Sequence, residues 1–217
     1  MQSDGVRTLR PAGLTVDVLK DGLKRVAAKM DAMADELNAL DGALGDGDLG
    51  VTMVRGGRAI VGELDAFPDD VGGALAKCAQ AFTKTSGSTL GTLLATGLLA
   101  AAKAAKGQTE VAWRDVSGLV AGALAAMANR GRAQLGDKTV LDALEAVRHA
   151  TEGRDDPADM LTAAIDDMHG ALDRLRTQPA RQGRARIFAD KTIGRDDPGM
   201  IAVLRVLEGL AAIQRTA

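Results

Sequence analysis

Apolar side chains in this chain return every three or four residues, and that spacing governs most of its length. Leu19, Leu23, Val26, Met30, Met33, Leu37 and Leu40 follow Val16 in that rhythm, which puts them on one stripe of a helix with Thr15 as its N-cap. A second helix is expected after Gly50 and runs to about Glu63. A third starts at Asp69 and Asp70, with Val71, Leu75, Cys78 and Phe82 on one stripe. A fourth spans about Ser88 to Lys106. The fifth, from near Glu110 to Asn129, is closed by basic Arg130 and a Gly131 stop. The sixth covers Thr139 to about Glu152. Pro157 and Pro198 suit the first turns of the last two, which reach Arg176 and Arg215, because proline there forfeits no needed hydrogen bond. No stretch shows convincing period-two alternation. The expectation is an all-α fold, an eight-helix antiparallel up-and-down bundle, in one domain over 15–217 after a tail at 1–14.

Composition narrows the chemistry. Three phenylalanines, one tryptophan and no tyrosine cannot build a base-stacking platform, and a net charge of −2 offers no case for nucleic acid. One cysteine, Cys78, rules out an internal disulfide and a thiolate zinc cluster; two histidines, His149 and His169, rule out a three-histidine metal site. Any metal would be a hard cation held by oxygen. Both histidines fall inside expected helices and read as structural or exposed, and Cys78 reads as core. The N-terminus lacks a signal-peptide core. The uncharged run from Thr85 to Ala102 has 18 residues, but its TSGSTLGT half suits a buried helix better than a membrane span. The expected setting is soluble and cytoplasmic.

Residues 41–50 read DGALGDGDLG. Between Lys29 and Arg55 stand Asp31, Asp35, Glu36, Asp41, Asp46 and Asp48 and no basic residue. Asp41, Asp46 and Asp48 crowd the negative end of a helix, where carboxylates are disfavoured unless something positive compensates. A divalent cation is the economical compensator; a solvated acidic turn, common for local backbone reasons, stays open beside it. Gly45 to Gly50 formally match G-x-G-x-x-G, but a helix precedes them and two aspartates would repel a phosphate, so the dinucleotide fingerprint fails. An EF-hand fails too, since its twelfth position is Gly57.

Other links share a theme. Residues 85–92, TSGSTLGT, open the fourth helix as a natural phosphate seat or an ordinary hydroxyl cap; the Walker A ending is missing. Gly136-Asp137-Lys138-Thr139 opens the sixth helix and Asp197-Pro198-Gly199 the eighth. Residues 178–197 form a long connector without apolar period, carrying Arg184 and Arg186. Carboxylates, helix N-termini and arginines together are the parts that hold a magnesium nucleotide.

In order and near spacing, LDGALGDGDLGVTM at 40–53, SGSTLGT at 86–92, RGRAQLGDKTVLDAL at 130–144 and GRARIFADKTIGRDDPG at 183–199 resemble the nucleotide-binding L subunit (DhaL, or DAK2 domain) family of dihydroxyacetone kinases. The resemblance covers essentially the whole chain. It implies an eight-helix antiparallel barrel with the nucleotide site at one end. It implies two magnesium ions on Asp41, Asp46 and Asp48, bridging the phosphates of ATP or ADP. It implies a nucleotide pocket of Leu49, Gly50, Val51, Thr52, Ser86, Gly87, Gly131, Val140, Arg184, Asp197, Pro198 and Gly199. The acceptor, a short hydroxyketone or related sugar, would sit on a separate K-type subunit, so this chain alone would phosphorylate nothing. Alternatives are a phosphotransferase-system form, with ADP as bound cofactor recharged by a phosphoprotein, and a non-catalytic nucleotide-binding regulatory subunit. A homodimer is left open; neither nucleic acid nor membrane is an expected partner. Three positions depart from the family pattern: Leu49 and Arg195 stand where a histidine is usual, and Met200 where alanine commonly follows DPG.

Overall fold

A computed structural model describes residues 11–211. Among these lie eight α-helices: α1 (Val16–Gly42), α2 (Leu49–Gly62), α3 (Val71–Thr85), α4 (Thr89–Ala104), α5 (Val116–Gly131), α6 (Val140–Thr151), α7 (Pro157–Arg176) and α8 (Pro198–Ala211). Each packs on its neighbour in the chain, and α8 returns to pack on α1, so the helices close into an up-and-down ring. The expected all-α antiparallel barrel is what the chain forms. The final residues of the expected eighth helix lie outside the described residues.

Local chemistry accounts for the helix starts. The hydroxyl of Thr15 accepts the Val18 N–H, Asp70 caps α3 through Gly73, Ser88 caps α4 through Gly91, and Asp156 caps α7 ahead of Pro157. Thr139 and Asp142 form a reciprocal capping box at α6. The buried face is aliphatic and sulfur-rich: Met30, Leu37, Val71, Cys78, Met168 and Met200 are almost wholly buried in the main core. Unbranched methionines fill irregular gaps here in place of the missing aromatic rings. The ring closes at the α1–α8 seam, where Arg205 grips Glu36 with a two-pronged hydrogen bond of 2.6 and 3.1 Å and Lys29 pairs with Glu208 at 2.9 Å.

Four details differ from the sequence expectation. A two-stranded antiparallel ribbon joins β1 (Gly13–Thr15) to β2 (Glu110–Ala112), and the Trp113 indole N–H donates to the Pro11 carbonyl at 2.8 Å. Strands of three residues are too short to show alternation. They take up the start of the expected fifth helix, so α5 begins only at Val116 after a 3-10 turn at Trp113–Asp115. At its other end Gly131 is still helical, and the left-handed residue is Arg132 (φ 52°). The long connector contains a 3-10 stretch at Ala185–Thr192, broken at Ala189 (φ 44°). The uncharged run at 85–102 belongs mostly to α4, one stave of the ring, and no described helix is long and apolar enough to cross a membrane.

Candidate functional site

Up-and-down topology places the first residues of every even-numbered helix at one end of the ring. At that end lies a cavity of about 510 Å³. The starts of α2, α4, α6 and α8 all line it, through Asp48 and Leu49, Ser88 and Thr89, Thr139 and Val140, and Pro198 and Gly199. Each start points the positive end of a helix dipole at the cavity, so four of them make a seat for anionic groups, although Asp197 already takes the Gly199 and Met200 N–H groups of α8. Deeper in, Leu90, Leu93, Met127 and Leu141 give an apolar wall. Residues 182–187 of the long connector complete the lining.

The acidic turn stands at the rim of this cavity. Asp41 ends α1, while Asp46 and Asp48 lie in the link to α2; one oxygen from each of the three lies within 4.8 Å of the others. Asp41 is the anchor. Its Oδ2 accepts the N–H groups of Gly47 (2.9 Å) and Asp48 (3.0 Å), which folds the turn back over the end of α1. Gly47 takes the left-handed region (φ 77°) that this reversal needs. A Cβ at Gly45 would stand 2.5 Å from Asp41 Oδ1, so a side chain there would displace that carboxylate. Partial burial pushes the Asp41 carboxyl up from its ordinary range; the backbone N–H groups oppose that shift and the neighbouring Asp46 charge adds to it.

Three carboxylates so close, with an all-oxygen donor set, fit a hard divalent cation. A positive partner also arrives from far along the chain: Arg184, on the connector, ion-pairs with Asp46. Local sequence contains no such base. Arg184 is mostly exposed, so the pair by itself adds little stability. Its effect is to bring a guanidinium to the junction of the acidic turn and the anion seat.

Of the residues singled out in the sequence, Asp41, Asp46, Asp48, Leu49, Thr52, Gly131, Val140, Arg184, Asp197, Pro198 and Gly199 all line the cavity. Gly50, Val51, Ser86 and Gly87 stand beside it. Gly50 is pressed against the Ala34 backbone of α1, and the Val51 N–H donates to Asn38 Oδ1 at 3.2 Å. The Ser86 hydroxyl lies 3.1 Å from that of Ser88, and Gly87 is exposed with open space around it. The lining in that link is Ser88 and Thr89, one step farther along the same hydroxyl-rich motif. Leu93 and Met127 gave no signal, being ordinary apolar residues in helical register. His149 is exposed, 2.7 Å from Asp167, away from the cavity.

Asp197 is a special case. Its Oδ1 caps α8 by accepting the Met200 N–H at 2.9 Å. Burial nevertheless raises its pKa to about 6; the Met200 and Gly199 N–H groups and Lys138 hold it down, and Asp142 pushes it up.

Residues 43–212 match the family model described as the DAK2 domain. The ADP-binding subunit DhaL of PEP-dependent dihydroxyacetone kinase 2 from Listeria innocua is 30% identical over 82% of this chain and 85% of its own length. Human triokinase/FMN cyclase is 32% identical over 88% of this chain, which spans only 34% of that protein. The crystal structure of the dihydroxyacetone kinase from C. freundii in complex with AMP-PNP and Mg2+ superposes with a TM-score of 0.72 at 25% identity, over 98% of this chain and 36% of that one. The motifs, the closed helix ring and the family match agree: the chain belongs to the DAK2 domain family.

Proposed function

We propose that the chain is the nucleotide-carrying, phosphoryl-donor component of a dihydroxyacetone-type kinase. The observation that carries this reading is the meeting of three carboxylates with four helix N-termini across one cavity. One group suits cations and the other suits phosphate oxygens, and a magnesium nucleotide presents both. Names of relatives support it: the Listeria and Escherichia coli proteins are ADP-binding subunits, and the C. freundii enzyme was crystallised with AMP-PNP and Mg2+.

In this reading Asp41, Asp46 and Asp48 hold two Mg2+ ions, which supply charge neutralisation of the phosphate oxygens when bound. The Thr89 and Leu90 N–H groups at the start of α4 receive phosphate oxygens, and the positive end of the α8 dipole supports them. Leu90, Leu93, Met127, Val140 and Leu141 enclose the base on aliphatic surface. Arg184 turns from Asp46 toward the phosphates, where a guanidinium suits the developing charge. The acceptor hydroxyl comes from a short hydroxyketone or related sugar on a separate K-type subunit, so the isolated chain binds nucleotide and transfers nothing. This places it in the cytoplasm, with the K-type subunit as its partner.

The phosphotransferase-system form has specific support. The bacterial relatives this chain spans almost end to end are named PEP-dependent, and one from Lactococcus lactis PTS-dependent. In that form ADP stays bound and a phosphoprotein recharges it. Slow exchange of bound ADP favours this form; rapid ATP turnover with a K-type subunit excludes it.

Calorimetric titration tests the common core. Mg-ADP binds the wild-type chain, and Asp46→Asn abolishes binding. Equal affinity in the two proteins would overturn the metal assignment.

A further inference from the structure

Lys138 does not line the cavity, yet it is the largest of the fully buried side chains, only 2% exposed. Its backbone sits in the left-handed region (φ 63°), which a lysine occupies only at a cost. The turn that carries it is fixed from both sides by one carboxylate. Asp142 accepts the Gly136 N–H at 2.6 Å and the Thr139 N–H at 2.8 Å. A strained backbone and a rigid turn therefore aim one cation inward.

Its targets are the two ends of the long connector. Nζ donates to the Gln178 carbonyl and to the Thr192 carbonyl, both at 2.9 Å. Thr192, itself fully buried, completes the same neck. Its hydroxyl accepts the Ala180 N–H at 2.7 Å and donates to the Ala189 carbonyl at 2.6 Å. Outside the neck, Arg176 forks onto Asp196 at 2.9 Å through each prong. Between 178 and 192 the chain is a closed loop, and its outer part, Gln182 to Ile187, covers the cavity and delivers Arg184 to Asp46.

Burying an ammonium for stability alone is a poor solution, since an apolar side chain of similar volume does as well or better. Desolvation does depress the Lys138 pKa, while the nearby Asp197 and Asp196 charges support the ammonium form. What the charge achieves is geometric: one donor group fixes two carbonyls that lie 14 positions apart in sequence at a single point.

We propose that Lys138 is a positioning residue, the clasp that closes the neck of the 178–192 loop and thereby holds Arg184 and the loop backbone over the cavity. Its consequence for ligand binding rests on the nucleotide reading above; its consequence for the loop does not. Lys138→Met keeps the volume and removes the donor.

The test has two arms on the full chain. In the first, without nucleotide, hydrogen exchange of the bonded Ala180, Arg181 and Ile187 amides rises at least tenfold in Lys138→Met, while α1 to α3 exchange as in the wild type. Unchanged loop exchange, or a rise spread equally over every helix, overturns the clasp. In the second, Mg-ADP binds the variant at least tenfold more weakly, with most of the change in the dissociation rate. A loosened loop with unchanged affinity reduces Lys138 to a structural role and overturns the positioning claim. Failure of the wild-type chain to bind Mg-ADP sinks the nucleotide reading and leaves the exchange arm to judge the clasp. If Lys138→Met does not fold, Lys138→Gln, which removes the charge but keeps a polar amide in the neck, is read against the same outcomes.

Discussion

Asp197 makes a prediction at the scale of one carboxyl group. Its native pKa of about 6 lies above its ordinary 3.8, so between those values the native state holds a proton that the unfolded chain has released. Stability owed to this group therefore rises as pH falls through about 6, opposite to the usual acid-destabilised aspartate. Asp197→Asn keeps an oxygen to cap Met200 and removes a partly buried charge. The variant is more stable than wild type at pH 7.5, by roughly 1–3 kcal/mol, and the gap shrinks at pH 5. Denaturant melts of both proteins at the two pH values check this, and a gap that does not change refutes it. Cys78 gives a second prediction. Burial pushes its thiol up to about 12, so a thiolate reagent labels it only in the unfolded chain. Labelling in native buffer at neutral pH would contradict that placement.

At the scale of the helix, burial and surface pairing separate sharply. Leu37 is fully buried in α1, and Leu37→Ala should cost about 3 kcal/mol through lost burial and the cavity left behind. The seam pair Arg205–Glu36 is partly exposed, so Arg205→Met should cost about 1 kcal/mol or less at pH 7. The hydrogen bond from Arg205 holds the Glu36 carboxyl below its ordinary 4.5, so its contribution is present above that value and fades as pH drops below it. Thermal melts of the two variants should rank them in that order; the reverse would mean that the seam, not the core, holds the ring closed. The helices were legible because this burial is written as a three-and-four rhythm and punctuated by caps at Thr15, Asp70, Ser88 and Thr139. The ribbon was not, because six residues in two pieces leave no period to read. Nor was the late start of α5, since Glu110 to Asp115 look compatible with a helix until a distant strand claims three of them.

For the molecule as a whole, the sequence marked the site by its links and missed what lies between them. Asp41, Asp46 and Asp48 stood out because charge, glycine and a helix end coincide within eight residues. Arg184 and Asp46 touch only after the ring has closed, and Lys138 reads as one more loop lysine until its two carbonyl partners appear. Long-range pairings of this kind leave no local spacing. The functional prediction at this scale is that a K-type subunit, Mg-ATP or recharged ADP, and dihydroxyacetone together yield product while the chain alone yields none. Product formed by the chain alone would refute the division of labour.

The direction of the staves has one more consequence. Links that follow odd-numbered helices gather at the cavity, while those after even-numbered helices gather at the other end, together with the start of α1 and the finish of α8. Since α8 packs against α1, those two ends are neighbours and can be tied by a short linker. The order in which the chain visits the staves is then interchangeable. A circular permutant reopened between Glu152 and Pro157 should keep its Mg-ADP affinity, whereas one reopened at Gly45 should lose it. The molecule has a working rim and a wiring rim, and only the second tolerates being recut.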